Sequence, residues 1–279
     1  MQGIRDIKRR IKTVKNTQQI TKAMEMVAAS KLRKAQALAY TTRPYEKSLK
    51  EVASRVLTAG GDVEHKLIQP SKEGKPGYIV VTADRGLCGG YNSNVIKKAC
   101  TIDKDNSYMI TVGKKGKEAL KARGYNIVAE FMDIGDLPSY NQARSVFETA
   151  SKLLDQGIFS ELNVIYTEFV NAMQQNVVLA KLTPVKSEDE KNSDNVYLYE
   201  PSAQQVFDTL IPKYLTGRIY RSLVESKASE HGARMTAMGS ATDNATDMIN
   251  ELTLSYNKAR QDSITQELIE IVSGAQALD

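Results

Sequence analysis

Catalysis needs nucleophiles, acids, bases or metal ligands held within reach of one another, and this sequence offers few. The most suggestive stretch is "DRGLCGGYN", Asp84–Asn92. It follows a β-rich run and precedes a helical one, the setting in which helix N-terminal amides hold phosphate. It fits neither G-x-G-x-x-G nor the P-loop pattern, because no Lys-Ser/Thr follows the glycines. A tight strand-to-helix turn is the simpler reading. Cys88 lies in this loop, but a reactive thiol needs a nearby base or metal, and the chain has only His65 and His231. Two cysteines, Cys88 and Cys100, make no disulfide framework and no metal-ligand spacing with those histidines. Asp243/Asp247 and Glu267/Glu270 lie one helical turn apart, which a solvated face explains. The methionines Met24, Met26, Met235, Met238 and Met248 read as adaptable packing surface. No catalytic constellation survives, so the chain is expected to be no enzyme by itself, with no cofactor bound.

The elements carrying these residues fall into two ends and a middle. Ile4, Ile7, Ile11 and Val14 keep a 3-4-3 spacing, continued by Gln18 and Thr21 and resumed by Met24, Val27, Ala28, Leu32, Ala35 and Ala39. That is one face of a long helix. Pro44 should kink or break it, since proline lacks an amide donor and crowds the preceding turn. A continuation, "SLKEVASRVLTAG", stops at Gly60-Gly61. At the other end Met235, Met238, Thr242, Ala245, Ile249, Leu252, Tyr256, Ala259, Ser263 and Gln266 hold a heptad rhythm. This helix is expected to begin near Pro212–Gly217 and to run almost to residue 279. Its seam of Met, Ala, Thr and Ser is thin, which lets a partner backbone come close.

Between the ends the period shortens. "GYIVVTA", "SYMITVG" and "NIVAEFM" are strands separated by helices near Asn94–Cys100 and Lys114–Arg123. A helix near Gln142–Asp155 leads to "ELNVIYTEFV" and "QNVVLAKLTP", an antiparallel pair. "KSEDEKNSDN" reads as a solvated loop and "VYLYEPS" as an edge strand. The expected fold is α/β plus coiled coil: long N- and C-terminal helices form an antiparallel coiled coil, and a small α/β (Rossmann-like) domain is inserted between them. The boundaries are 1–60 for the first helix, 75–203 for the α/β domain and 208–279 for the last helix.

Composition agrees with a folded chain of 279 residues, 41% hydrophobic and 25% charged. No run approaches 18 apolar residues, so no membrane span is expected, and the N-terminus lacks the apolar core of a secretory signal. The net charge of +5 conceals an asymmetry: residues 1–40 carry ten basic and two acidic residues, whereas 217–279 carry six basic and nine acidic ones. Opposite signs favour pairing of the two ends, although screened surface charge steers more than it stabilises. Arg5, Lys8, Arg9, Arg10, Lys12 and Lys15 also permit a nucleic-acid reading. Against it, residues 1–39 hold no aromatic side chain for stacking. A passive coiled-coil adaptor is a further alternative.

Several long stretches resemble the gamma subunit, or central stalk, of the bacterial rotary proton-translocating ATP synthase. They are "ITKAMEMVAASKLRKAQ" (Ile20–Gln36), "DRGLCGGYNSN", "ASEHGARMTAMGSATDNA" (Ala228–Ala245) and "LSYNKARQDSITQELIEIVSGA" (Leu254–Ala275). The last carries the run Ile264-Thr265-Gln266-Glu267, then Glu270 and Gly274-Ala275. Gly232 and Gly239 depart from the Ala or larger residue more common in that family. The resemblance implies a torque-transmitting shaft between a membrane c-subunit ring and a ring of alpha and beta subunits, with the epsilon subunit at its foot. Carried over by motif, Arg260, Gln261, Thr265 and Glu267 would face catch loops of alpha and beta, and Met24 would lie at the neck near beta. Tyr197, Tyr199 and Glu200 would belong to the foot that meets the membrane ring and epsilon. It further implies a single copy in a hetero-oligomer, peripheral on the cytoplasmic face of the cell membrane.

Overall fold

A computed structural model describes residues 4–59, 67, 74–185, 200 and 202–276. In chain order the elements are α1 (Ile4–Ala59), β1 (Lys75–Val81), α2 (Tyr91–Ala99), β2 (Tyr108–Val112) and α3 (Lys114–Ala122). They continue with β3 (Ile127–Phe131), α4 (Tyr140–Asp155), β4 (Phe159–Phe169), β5 (Gln175–Thr183) and α5 (Ala203–Gln276). Two compact units result: residues 28–234 form one, and residues 1–27 with 235–279 form the other.

In the larger unit, alternation along each strand sorts side chains to two faces. Val80, Met109 and Ile165 point to the face covered by Val95 and Ala99 of α2 and Leu120 of α3. Their neighbours Ile79, Val81, Ile110, Val112, Val164 and Tyr166 face the other way. There they meet Val146 and Ala150 of α4, Ala53 and Val56 of α1, and Phe207, Ile211, Leu215 and Ile219 of α5. The five strands lie in the order β3-β2-β1-β4-β5. β1 is parallel to β2 and β4, β2 is parallel to β3, and β5 returns antiparallel to β4 as an edge. Because the connection beyond β3 crosses to the far side of β1, the order reverses between β1 and β4, the position at which open α/β sheets take ligands.

One glycine is required where β2 turns into α3. Gly113 has φ +95°, and a Cβ there would fall 2.2 Å from the carbonyl oxygen of Thr82. α4 starts with a capping box: the Ser139 hydroxyl accepts from the Gln142 amide, and the Gln142 side chain accepts from the Ser139 amide.

In the smaller unit, α1 and α5 run antiparallel. Gln18 Nε2 donates to Thr246 Oγ1 (2.7 Å), and Thr242 and Thr21 join hydroxyls at 2.9 Å. Gly239 faces Glu25, so each step up one helix is matched by a step down the other. The expected seam is the covered face of α5, from half-buried Met235 and buried Met238 and Ala245 to half-buried Ser263, while Gln266 is exposed. On α1, Ile7 and Thr21 are buried and Ile4, Ile11, Val14, Gln18 and Met24 are half-buried.

Three expectations change. Val27 leaves the stripe, 54% exposed, because Met24 and Ala28 already complete that turn of the seam. α1 does not break at Pro44 but continues to Ala59. Arg43 and Glu46, on either side of the proline, are tied to Glu225 and Arg221 of α5, and these cross-links hold the helix through the missing hydrogen bond. α5 begins at Ala203, ahead of the Pro212–Gly217 start, and also contains its proline. Phe207 and Ile211, both fully buried, fix the turns before Pro212, and the Thr216 hydroxyl caps the Pro212 carbonyl at 2.7 Å. The loop expected at 186–195 lies outside the described residues, as does the edge strand expected at 196–202 except for Glu200 and Ser202, which are not in a strand.

Candidate functional site

The loop Asp84–Asn92 spends its polar groups on the chain's own structure. The Asn92 side chain accepts from the Ala83 amide at 2.9 Å and donates to Cys88 Sγ at 3.2 Å. Asp84 Oδ1 accepts from the Lys114 amide at 3.0 Å, so the first turn of α3 is capped by the chain's own carboxylate. Arg234 Nη2 reaches the Gly86 carbonyl at 3.3 Å. Cys88 is buried, and burial raises its thiol pKa, the opposite of nucleophile activation. Tight-turn chemistry accounts for this loop.

Beyond the loop, the pocket at the C-terminal ends of β1 and β2 is filled from within. Thr82, Asp84, Tyr91 and Gly113 line it, and Leu223, Ser226, Lys227 and Glu230 of α5 close it, leaving about 10 Å³ of water-accessible space. That is room for roughly one water. Where β4 extends past β1, α5 also satisfies its backbone. Ser226 Oγ accepts from the Thr167 amide (3.2 Å), Ser229 Oγ donates to the Thr167 carbonyl (3.3 Å), and Glu225 Oε2 accepts from the Phe169 amide (3.0 Å).

A charge network surrounds this contact. Glu225, fully buried, takes Arg43 of α1 as a two-point partner, Nε at 2.8 Å and Nη2 at 3.1 Å. Arg43 Nη2 also donates to the Phe169 carbonyl at 3.0 Å. The hydrogen bond to Glu225 raises the Arg43 pKa, the largest of its causes. Arg221 bridges Glu46 (2.9 Å) and Glu168 (3.5 Å). One turn on, Glu230 pairs with Lys227 (3.0 Å) and Arg234 (2.8 Å). Burial opposes ionisation of Glu230, but the two cations outweigh it and hold the carboxyl below its usual range. His231 is buried, its Nε2 3.5 Å from Asp136, which itself pairs with Lys31 at 2.9 Å. Burial pushes the His231 pKa down to about 4, so the imidazole is neutral near pH 7. Among the described residues, no group of His, Cys, Asp or Glu could hold a metal ion.

Uncovered apolar side chains lie on both long helices as well as at loop positions such as Leu87 and Met173. Past Ser263, the last half-buried seam position, Ile264, Leu268, Ile271 and Val272 form a stripe at i, i+4, i+7 and i+8. With Ile269 they are between 48% and 68% exposed. On α1, Ile20 and Val27 are 60% and 54% exposed and flank Met24 at four and three residues. A contiguous uncovered apolar helix face marks an interaction site.

The residues marked out by sequence fall on these surfaces unevenly. Arg260, Gln261, Thr265 and Glu267 are all exposed on the last turns of α5. Thr265 Oγ1 donates to the Gln261 carbonyl (2.9 Å), and Glu267 accepts from Ser263 (3.3 Å). Met24 is not brought to them; the register sets it opposite the Gly239 turn, several turns away. Glu200 is exposed, and Tyr197 and Tyr199 lie outside the described residues. The Glu225 network escaped sequence reasoning altogether. Among the described residues, no helix is long and apolar enough to cross a membrane.

A family model described as ATP synthase matches residues 3–278. The ATP synthase gamma chain of Heliobacterium modesticaldum is 47% identical over 289 residues, with 100% of both chains covered. That of Pelotomaculum thermopropionicum is 46% identical, again with 100% of each covered. The fold is similar to that of a rotor chain in the mitochondrial ATP synthase of Euglena gracilis: TM-score 0.70 at 19% identity, covering 94% of this chain and 98% of that one. A chain in the central stalk and c-ring structure of the Tetrahymena thermophila enzyme gives TM-score 0.62 at 24% identity, covering 80% and 99%. With its full length aligned and nearly half its residues shared with bacterial relatives, the chain belongs to the gamma-chain family of ATP synthases.

Proposed function

We propose that this chain is the central rotor shaft of a membrane ATP synthase, carrying torque between a proton-driven c-subunit ring and the catalytic ring of alpha and beta subunits. The observation that carries this reading is the uncovered stripe Ile264–Leu268–Ile271–Val272, a helix face that requires an apolar sleeve from other chains. The chain itself is non-catalytic. Its two paired helices have no three-fold symmetry, so inside a ring of three equivalent sites they contact each one differently. A conformational equilibrium shifts only by differential contact energy, and moving one from 1:99 to 99:1 takes about 5.5 kcal/mol. Turning the pair passes that bias from one beta subunit to the next. Arg260, Gln261, Thr265 and Glu267 are the catch contacts with alpha and beta in this reading, and Met24, between exposed Ile20 and Val27, is the neck contact. Glu200, with Tyr197 and Tyr199, meets the membrane ring and epsilon. The complex holds one copy of the chain, peripheral on the cytoplasmic face of the cell membrane.

The test is a reversible disulfide between the last turns of α5 and beta in the assembled complex. Turnover is expected to stop when it forms and to return on reduction; full turnover with the link intact would overturn rotation of this segment. Arg260→Ala with Gln261→Ala should weaken coupling or assembly while the chain stays folded.

A further inference from the structure

We infer that Glu225, gripped by Arg43 and by the Phe169 backbone, is the junction through which torque passes between the β-sheet and the two long helices. The inference rests on the rotary reading and adds to it the residues that make sheet and helices turn as one body. Three elements meet at this carboxylate: α5 supplies it, α1 supplies the guanidinium at 2.8 and 3.1 Å, and β4 supplies the amide at 3.0 Å. Arg43 then closes a loop by donating to the Phe169 carbonyl, so each of the three is tied to the other two. The guanidinium fork has a fixed plane and two parallel donors, so it resists twisting in a way a single contact does not.

Directed bonds add here to the apolar contact that the sheet makes with Phe207, Ile211, Leu215 and Ile219 of α5. The α5 surface beside Glu225 presents Ser226, Ala228 and Ser229, small side chains that offer few knobs against a sliding strand. The junction also brackets the softest point of α1. Pro44 has no amide to give, so the helix ladder lacks one bond there. Arg43 precedes that gap and Glu46 follows it, and both are tied to α5, through Glu225 and Arg221. A twist that would concentrate at the gap is thereby shunted into the second helix. Burial of Glu225 leaves these bonds less screened by salt than those of a surface pair.

The test uses the whole ATP synthase complex with a bead on exposed Cys100 and the alpha/beta ring fixed; the rotational fluctuations of the bead report torsional stiffness. Arg43→Lys keeps the charge but loses the fork, Glu225→Gln loses the charge, and the Arg43→Gln/Glu225→Gln double variant removes the link. Stiffness is expected to fall from wild type to Arg43→Lys to Glu225→Gln, with the double variant losing little more than Glu225→Gln alone, because the two residues share one link. ATP hydrolysis by the same complexes should remain, since neither residue touches the surfaces assigned to beta. Variants that unfold at lower temperature yet keep wild-type stiffness would make the network a purely structural feature and overturn the inference. If Glu225→Gln fails to assemble, Arg43→Lys decides by the same measurement. A wild-type complex that turns over with α5 locked to beta would instead sink the rotary reading itself.

Discussion

Gly232 and Gly239 sit one heptad apart on α5 yet answer to different physics. A Cβ on Gly232 would lie 3.3 Å from Ala172 Cα, backbone that cannot easily give, whereas one on Gly239 would meet only the Glu25 carboxylate end at 3.7 Å. Gly232→Val should therefore destabilise by about 1–3 kcal/mol, and Gly239→Ala should stabilise by about 0.5–1 kcal/mol, both read by thermal unfolding. His231 adds a pH dependence. Its pKa is pushed down to about 4 by burial, among Asp136, Glu230, Arg234 and Lys227, against about 6.5 unfolded. The unfolded chain binds that proton more readily, so the contribution is complete above about pH 6.5 and is lost as pH falls toward 4, by at most about 3 kcal/mol. His231→Gln should flatten this segment of the stability–pH curve. Of the two thiols, Cys100 is exposed and Cys88 buried, so a thiol reagent should label Cys100 in the folded chain and Cys88 only on unfolding. None of these local environments was legible in sequence. The burial of His231 and Glu225 depends on partners such as Asp136 and Arg43, which lie far away along the chain.

At the scale of elements, the seam was legible because helical spacing is a local property. Met238, Thr242, Ala245, Ile249 and Leu252 keep to the covered side as their three- and four-residue steps require. The strands were equally plain, since β-branched runs with alternating faces leave few other readings. Helix limits were harder. Pro44 and Pro212 each argue locally for a break, and only packing from Phe207 and Ile211, or cross-links such as Glu46–Arg221, overrides them. Among the described residues, the links that fix register in the smaller unit include neutral ones, Gln18 to Thr246 and Thr21 to Thr242. Ala245 is buried in the seam, and Ala245→Leu should overpack it, costing about 1–3 kcal/mol and lowering helical circular dichroism at a given temperature.

For the molecule as a whole, identity was legible in the end motifs, while the exposed tip gains meaning only beside its missing cover. Residues 264–272 should exchange amide hydrogens quickly in the free chain and become protected in the complex, measured by mass spectrometry on both. Equal protection in the two states would deny that partners cover the stripe. The filled pocket at the C-terminal ends of β1 and β2 carries a different consequence. In other sheets of this build that opening is a mouth for a cofactor; here it is a socket for the chain's own helix, closed by Ser226, Lys227 and Glu230. Any small molecule engineered to enter it would have to evict α5, so occupancy and grip would exclude one another. A variant with such a pocket would be a clutch, disengaged by its ligand.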